Sequence, residues 1–417
     1  DGTPVNAEAV KRSYERILDE KNRLAYRSWF DSIETITAVD EYTVAFRTKA
    51  PFLFLANRMA TPPGSIVSAA AAAQVDQKTF ASAKPMGSGP FMFREWIRGS
   101  RVVLAKNPNH WLASRSNIDI IELRVVPEDS ARAIGLETGE HDMTQIIAPQ
   151  EADRLKANAN LQVLNVPVWR INGIYFNTAK KPFDDVRVRQ AVAHAMDKKA
   201  IVDTFLKGYA LVADSPLPKG LWSYKSLKPF DYNPARAKQL LAQAGHPNGF
   251  STTMWVPIGF YVNAQQISQA ITEQLRAVGI QVKLEIMEGG KWLDLLRSKG
   301  PQEAQWEMSY YGWGTWSGEP DYALRLVFHS ANWAPRGTNR NFYKNAEVDT
   351  LLTRGPTIVN EAERRAAYEK AQELIWNDQP WAYTFSVNQP TVAKKTLRGL
   401  KVLPTEQVVL REASLTR

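Results

Sequence analysis

Cysteine is absent from the 417-residue sequence. That excludes disulfides, thiolate metal sites and cysteine nucleophiles within it, and any lipid carried on a cysteine of it. It does not choose between a reducing and an oxidising compartment. Histidine is scarce: His110, His141, His194, His246 and His329 are the five, and none stands in a close H-x-x-x-H pair. No apolar run reaches the roughly 18 residues that a membrane-spanning helix needs. The Gly87-Ser88-Gly89 turn imitates a phosphate loop, but the Gly-Lys-Ser/Thr that completes one is missing. There is no G-x-S-x-G nucleophile elbow either.

What is present describes a globular chain. Hydrophobic residues make up 44% and charged residues 23%, and the length allows two or more domains. The net charge of +9 is spread along the sequence, with only short pairs such as Lys180-Lys181, Lys198-Lys199 and Lys394-Lys395. That argues against a nucleic-acid-binding arm. A basic surface is compatible with anionic ligands or membranes, and equally with a solvated charged face.

Periodicity sets out the elements. Ala7, Val10, Tyr14, Ile17 and Leu18 fall at helical spacing behind a possible Asn6 cap. Residues 33–39 and 42–46 alternate as a hairpin. Residues 118–126, 130–138 and 161–168 repeat a strand, helix, strand rhythm that predicts a mostly parallel sheet. Residues 169–178 form a strand running to a polar end. A helix follows with Asp184 or Asp185 near its start. Further helices are predicted over 232–245, 262–278 and 361–377, and strands over 249–257, 280–286 and 379–385.

The most unusual stretch is Met308-Ser309-Tyr310-Tyr311-Gly312-Trp313-Gly314-Thr315-Trp316-Ser317-Gly318-Glu319-Pro320-Asp321-Tyr322. It begins as a short buried strand and breaks into three glycines, which permit positive φ and close backbone approach. Asp321 is a candidate cap for the helical run that follows. Two tryptophans between glycines, with Thr315 and Ser317 beside them, make sense as a pocket wall. They make equal sense as a structural loop whose indoles plug the core. Glu319 and Asp321 could be paired carboxylates, or more simply a loop end and a helix cap.

The loop resembles the ligand loop of the peptide/nickel class of ABC-importer solute-binding proteins, extracellular solute-binding family 5. Other motifs carry the same resemblance. Asp1-Gly2-Thr3-Pro4-Val5-Asn6-Ala7-Glu8-Ala9-Val10 is similar to the family's D-G-T-P-V-x-A-E-x-V. The run from Gly87 through Glu95-Trp96 and Gly99 to Asn107-Pro108-Asn109-His110-Trp111 is similar to its G-T-G-P-F, E-W, G and N-P-x-Y-W series. Phe176-Asn177, Pro182-Phe183-Asp184, Val188-Arg189, Ala191 and Asp197 match its F-N…P-F-D…V-R-x-A…D pattern. From Tyr310 through Asn332-Trp333-Ala334-Pro335 to Asn341-Phe342-Tyr343-Lys344-Asn345 and Asp349 the likeness is to the glutathione-binding branch.

The resemblance implies an α/β, two-lobed periplasmic-binding-protein-like fold of the class with an extra subdomain in lobe one, here N-terminally truncated. Lobe one is expected over 1–175, with 1–84 the extra subdomain and 85–175 the core part. Lobe two, the ligand lobe, is expected over 176–388, and 389–417 return to lobe one. The implied function is that of a periplasmic component of an ABC importer. It would capture glutathione or another short peptide between the lobes by hinge closure and deliver it to a membrane permease, as a monomer with no cofactor, metal or nucleic acid. No bond is made or broken, so the chain is expected not to be an enzyme.

Peptide-binding members carry an Asp that pairs with the ligand's α-amino group, and Trp316 stands in its place here. The expected ligand residues are Trp313, Thr315, Trp316 and Ser317 in the loop, with Arg170 as a bidentate carboxylate holder at the lobe junction. Arg170 also fits an ordinary salt bridge. Trp255, Tyr261, Arg58, Thr61 and Arg336 are further candidates, placed beside loops of strand–helix units. An alternative within the class is an oligosaccharide or other non-peptide solute, with Trp313 and Trp316 stacked on sugar faces. A peptide or glycan hydrolase is the rival from another class; no nucleophile, metal or base constellation supports it.

Overall fold

The computed structural model describes residues 1–24 and 26–416. They fall into two compact units. The first is Asp1–Val126 with Lys394–Val402 and Gln407–Arg417; the second is Pro127–Ala393 with Leu403–Glu406.

In the first unit the helix Ala7–Leu18 is capped by the Asn6 side chain, which accepts from the Ala9 amide at 3.0 Å. Its buried Tyr14 meets Phe30 and Phe46 edge-on and donates to the Gly64 carbonyl at 3.0 Å. Phe46 comes from the antiparallel hairpin of β1 (Ile33–Ala38) and β2 (Val44–Thr48). β3 (Phe91–Ile97), β4 (Arg101–Lys106) and β5 (Ile120–Arg124) form a separate antiparallel sheet. The two-stranded pairs β13–β16 (Leu397–Arg398, Ser414–Leu415) and β14–β15 (Lys401–Val402, Val408–Val409) also belong to this unit.

The second unit is built on a seven-stranded sheet. Its strands are β6 (Met143–Thr144), β7 (Leu161–Phe176), β8 (Ala210–Val212), β9 (Phe250–Ile258), β10 (Ile280–Glu288), β11 (Met308–Gly314) and β12 (Trp381–Lys394). The order is β10-β9-β11-β7-β12-β6, with β8 added to β12. β9 runs parallel to β10 and β11, and β11 antiparallel to β7. The mostly parallel sheet expected over 118–168 is therefore corrected. β5 pairs antiparallel in the first unit, and 161–168 and 169–176 are one continuous strand of a mixed sheet.

Alternation along β7 and β11 gives the sheet two unlike faces. Ile174, Phe176, Met308 and Tyr310 lie on one, packed with Met254 and Val256 of β9 under the helices Val186–Ala195, Pro234–Gln243 and Ala264–Arg276. These helices bury Val188, Val192, Leu240, Leu241, Ile267, Ile271 and Leu275, each worth about 1.5–3 kcal/mol. On the other face the rings of Tyr175 and Tyr311 stack 4.4 Å apart, with Trp381 edge-on to Tyr175 at 5.0 Å. At Gly173 a Cβ would stand 2.2 Å from the Ala382 carbonyl oxygen, so only glycine lets the chains approach there.

Among the described residues no helix is long and apolar enough to cross a membrane. Glu369 and Glu373, like charges one helical turn apart, share Lys225, at 3.8 and 2.6 Å. Asp185 caps its helix by accepting from the Arg187 amide.

Arg189 ties the helix Val186–Ala195 to the end of the helix Glu361–Asp378. It is 6% exposed and donates to the carbonyls of Phe183, Asp184, Asp378 and Gln379 at 2.9–3.2 Å. Arg189→Met leaves buried carbonyls without donors and should cost about 2–5 kcal/mol in urea unfolding. A loss below about 1 kcal/mol would show that water replaces the guanidinium.

Candidate functional site

Tyr310, Gly312 and Gly314 of β11 lie on the sheet face that carries Asn172 and Arg170 of β7. The register pairs Gly312 with Asn172, Trp313 with Ile171 and Gly314 with Arg170. The glycines there are steric necessities. A Cβ on Gly312 would sit 2.8 Å from both the Asn172 amide nitrogen and the Tyr261 ring. One on Gly314 would sit 2.6 Å from the Trp169 carbonyl oxygen and 3.3 Å from Arg170 Cβ. Gly318, at φ +69°, meets the Trp169 ring in the same way, at 2.7 Å.

Into the space so kept comes a connected polar group. Arg170 Nη1 donates to Glu406 Oε2 at 2.7 Å and Nη2 to Gln389 Oε1 at 3.0 Å. Gln389 donates onward to the Gln145 carbonyl at 2.8 Å, and the Gln145 side chain to the Glu406 carbonyl. The guanidinium lies 5.6 Å over the Tyr261 ring, and the Tyr261 hydroxyl donates to the Gly312 carbonyl at 3.0 Å. Arg170, Asn172, Tyr261, Tyr310 and Gln389 line one cavity of about 30 Å³, room for one or two waters. Arg170 Nε, Asn172 Oδ1 and the Tyr310 hydroxyl are buried without a hydrogen-bond partner. Burial raises the pKa of both phenols, Tyr261 and Tyr310, so each is a neutral donor at pH 7.

The structure brings only some of the expected site residues together. Arg170 and Tyr261 share the polar group. Trp313 points to the opposite sheet face; it is half-buried, stacks on Tyr322 at 5.6 Å, and its buried Nε1 has no partner. Trp316 is 40% exposed. Thr315 is buried, and its hydroxyl accepts from the Gly318 amide at 3.1 Å; Ser317 donates to Glu319 at 3.2 Å. Both hydroxyls thus bond within their own turn.

Asp321 is not the cap it was expected to be. Glu319 accepts from the Tyr322 amide at 2.8 Å, while Asp321 lies inside the helix Pro320–Phe328, held by Arg325 at 2.9 Å and the Tyr368 hydroxyl at 3.1 Å. The two carboxylates are thereby occupied in structure.

Trp255 stands elsewhere on β9, its indole donating to Glu285 across β10 at 2.9 Å. Arg58 and Thr61 belong to the first unit. Arg58 is fully buried, donating to the Trp29 carbonyl at 3.3 Å and lying over Phe52, and Thr61 donates to the Arg58 carbonyl at 2.6 Å. Arg336 is exposed on a turn of the second unit. Asn172, Tyr310, Gln145, Gln389 and Glu406 were not foreseen. Alternation from Arg170 could have found Asn172; nothing in the sequence pattern joins Glu406, 236 residues away, to Arg170.

Gly314→Ala forces a methyl against backbone that cannot give, and should cost about 1–3 kcal/mol in urea unfolding. Gly89→Ala, whose Cβ would meet nothing nearer than 3.8 Å, is the control. Equal stability of the two variants would contradict the close approach of β11 to β7.

Comparison with known proteins identifies relatives of the chain. The family model of the bacterial extracellular solute-binding proteins, family 5 Middle, matches residues 1–335. The glutathione-binding protein GsiB of Pectobacterium atrosepticum is 34% identical over 416 residues, covering 100% of this chain and 80% of that protein. GsiB of Escherichia coli is 32% identical over 415 residues with the same coverage. The solved structure of the ABC transporter-associated periplasmic binding protein DppA from Helicobacter pylori, in complex with the peptide STSA, superposes with a TM-score of 0.88 at 28% identity. It covers 99% of this chain and 82% of that one. By this match along its whole length, the chain belongs to the bacterial extracellular solute-binding proteins of family 5.

Proposed function

We propose that the chain is the periplasmic solute-binding component of an ABC importer and that its solute is glutathione or a closely similar short peptide. The observation that carries the reading is the 34% identity over the full chain to a glutathione-binding protein. The chemistry of the site supports it. Glutathione has two carboxylates, and Arg170 presents a guanidinium over an aromatic ring, flanked by the orphaned Tyr310 hydroxyl and Asn172 carbonyl oxygen. Its glutamate is joined through the γ-carboxyl, so its free α-amine does not sit where an ordinary peptide's does. That fits an indole, Trp316, at the position where the family resemblance expects an amine-pairing Asp. On this reading the solute is bound and released unchanged, and Glu319 and Asp321 serve in capping and ion pairing.

An oligosaccharide finds less support. One face of the Trp313 ring is covered by Tyr322, which takes away half of the sugar-stacking platform that the loop offered.

A thermal-shift series tests the reading. Glutathione at a hundred times its dissociation constant should stabilise the chain by about 2.7 kcal/mol. Arg170→Ala should weaken glutathione about tenfold to a hundredfold through loss of a charge-assisted pair. Stabilisation by an ordinary dipeptide with none from glutathione would overturn the ligand assignment.

A further inference from the structure

We infer that Glu406 is a tethered stand-in for the ligand's carboxylate: it occupies Arg170 until a ligand carboxylate displaces it, and so sets the chain's affinity and selectivity. The inference rests on the proposal that Arg170 receives a carboxylate of the solute.

The geometry points there in three ways. First, Arg170 is already spoken for on both outer nitrogens, by Glu406 at 2.7 Å and Gln389 at 3.0 Å. A ligand carboxylate that takes the Nη1 hydrogen now given to Glu406 displaces Glu406 from it. Second, the pair reaches water at its edge. The Arg170 side chain is 15% and the Glu406 side chain 25% exposed, so the departing carboxylate passes into water rather than into an apolar core. Third, the backbone under Glu406 is held independently of its side chain. Leu403–Glu406 belongs to the second unit, while Lys394–Val402 and Gln407–Arg417 on either side belong to the first. This four-residue strap is fastened by the Trp169 amide to the Pro404 carbonyl at 2.7 Å, and by the Gln145 side chain to the Glu406 carbonyl. Glu406 takes a left-handed φ of +66°, which a β-branched or bulky residue would not hold. The carboxylate can therefore swing away while the strap stays in place.

A tethered carboxylate competes with every solute that uses Arg170. Only a solute whose own carboxylate is positioned by further contacts wins the exchange. A neutral solute gains nothing from Arg170, because binding it would leave the existing pair intact.

Calorimetric titration of the whole chain with glutathione, and with its diethyl ester as the carboxylate-masked probe, tests this. Glu406→Gln should tighten glutathione about threefold to tenfold by removing a partly exposed competitor. It should leave the ester unchanged, and the gain should vanish when Arg170→Ala is added. Glu406→Asn, which tolerates the left-handed backbone, gives the same gain if the glutamine variant fails to fold. Glutathione binding by wild type with no gain in a folded Glu406 variant, or with equal gain for the ester, sinks the assignment of Glu406 alone. A wild-type chain that binds no glutathione sinks instead the reading under which Arg170 meets this solute.

Discussion

The antiparallel pairing of β7 with β11 is the constraint on which the second unit depends. It seats Gly312 against Asn172 and Gly314 against Arg170, at separations that admit no side chain on the glycines. Because those two positions are empty on one face, Tyr261 and the Arg170–Glu406 pair can lie directly on the strands. Because Tyr311 and Trp313 alternate onto the other face, the aromatic mass of the loop is packed where it does not crowd the guanidinium. The same strands continue as Ile174, Phe176, Met308 and Tyr310 into the apolar core. A rigid sheet thus passes without a break into a polar end, the arrangement that positions recognition groups most reproducibly.

The polar end joins a satisfied shell to an unsatisfied centre. Gln389, Gln145 and Glu406 are linked to one another and to Arg170 by hydrogen bonds. Arg170 Nε lies beside them without a partner, next to the neighbouring Asn172 side chain and Tyr310 hydroxyl. Buried polar atoms without partners are costly, and a protein that binds polar solutes recovers that cost when the solute arrives. A donor, an acceptor and a hydroxyl in one small space suit a group that both gives and takes hydrogen bonds, beside an anionic one.

Much of this could be read from the chain. The glycine-broken stretch after Tyr311 announced close backbone approach, and the atoms that approach are now named: Trp169, Asn172, Tyr261. Helical spacing placed Ala7–Leu18 and Val186–Ala195, and the family resemblance at the lobe junction drew attention to Arg170. What stayed hidden was hidden for physical reasons. Thr315 and Ser317 looked like ligand hydroxyls because composition cannot say whether a hydroxyl bonds outward or closes its own turn. Asp321 looked like a cap because Asp and Glu differ little at a helix start, and two residues decide which is outside the helix. The strand–helix rhythm over 118–168 does not say which sheet a strand joins, so β5 was misplaced. Glu406 reaches Arg170 through a strap of four residues, a contact between distant segments that leaves no periodic trace.

A crystal structure of the chain grown with glutathione tests the central claim most directly. The account predicts a carboxylate of the ligand within hydrogen-bond distance of the Arg170 guanidinium, with the Glu406 side chain turned away and its strap still fastened to Trp169 and Gln145. Glutathione bound with the Arg170–Glu406 pair unbroken would contradict it.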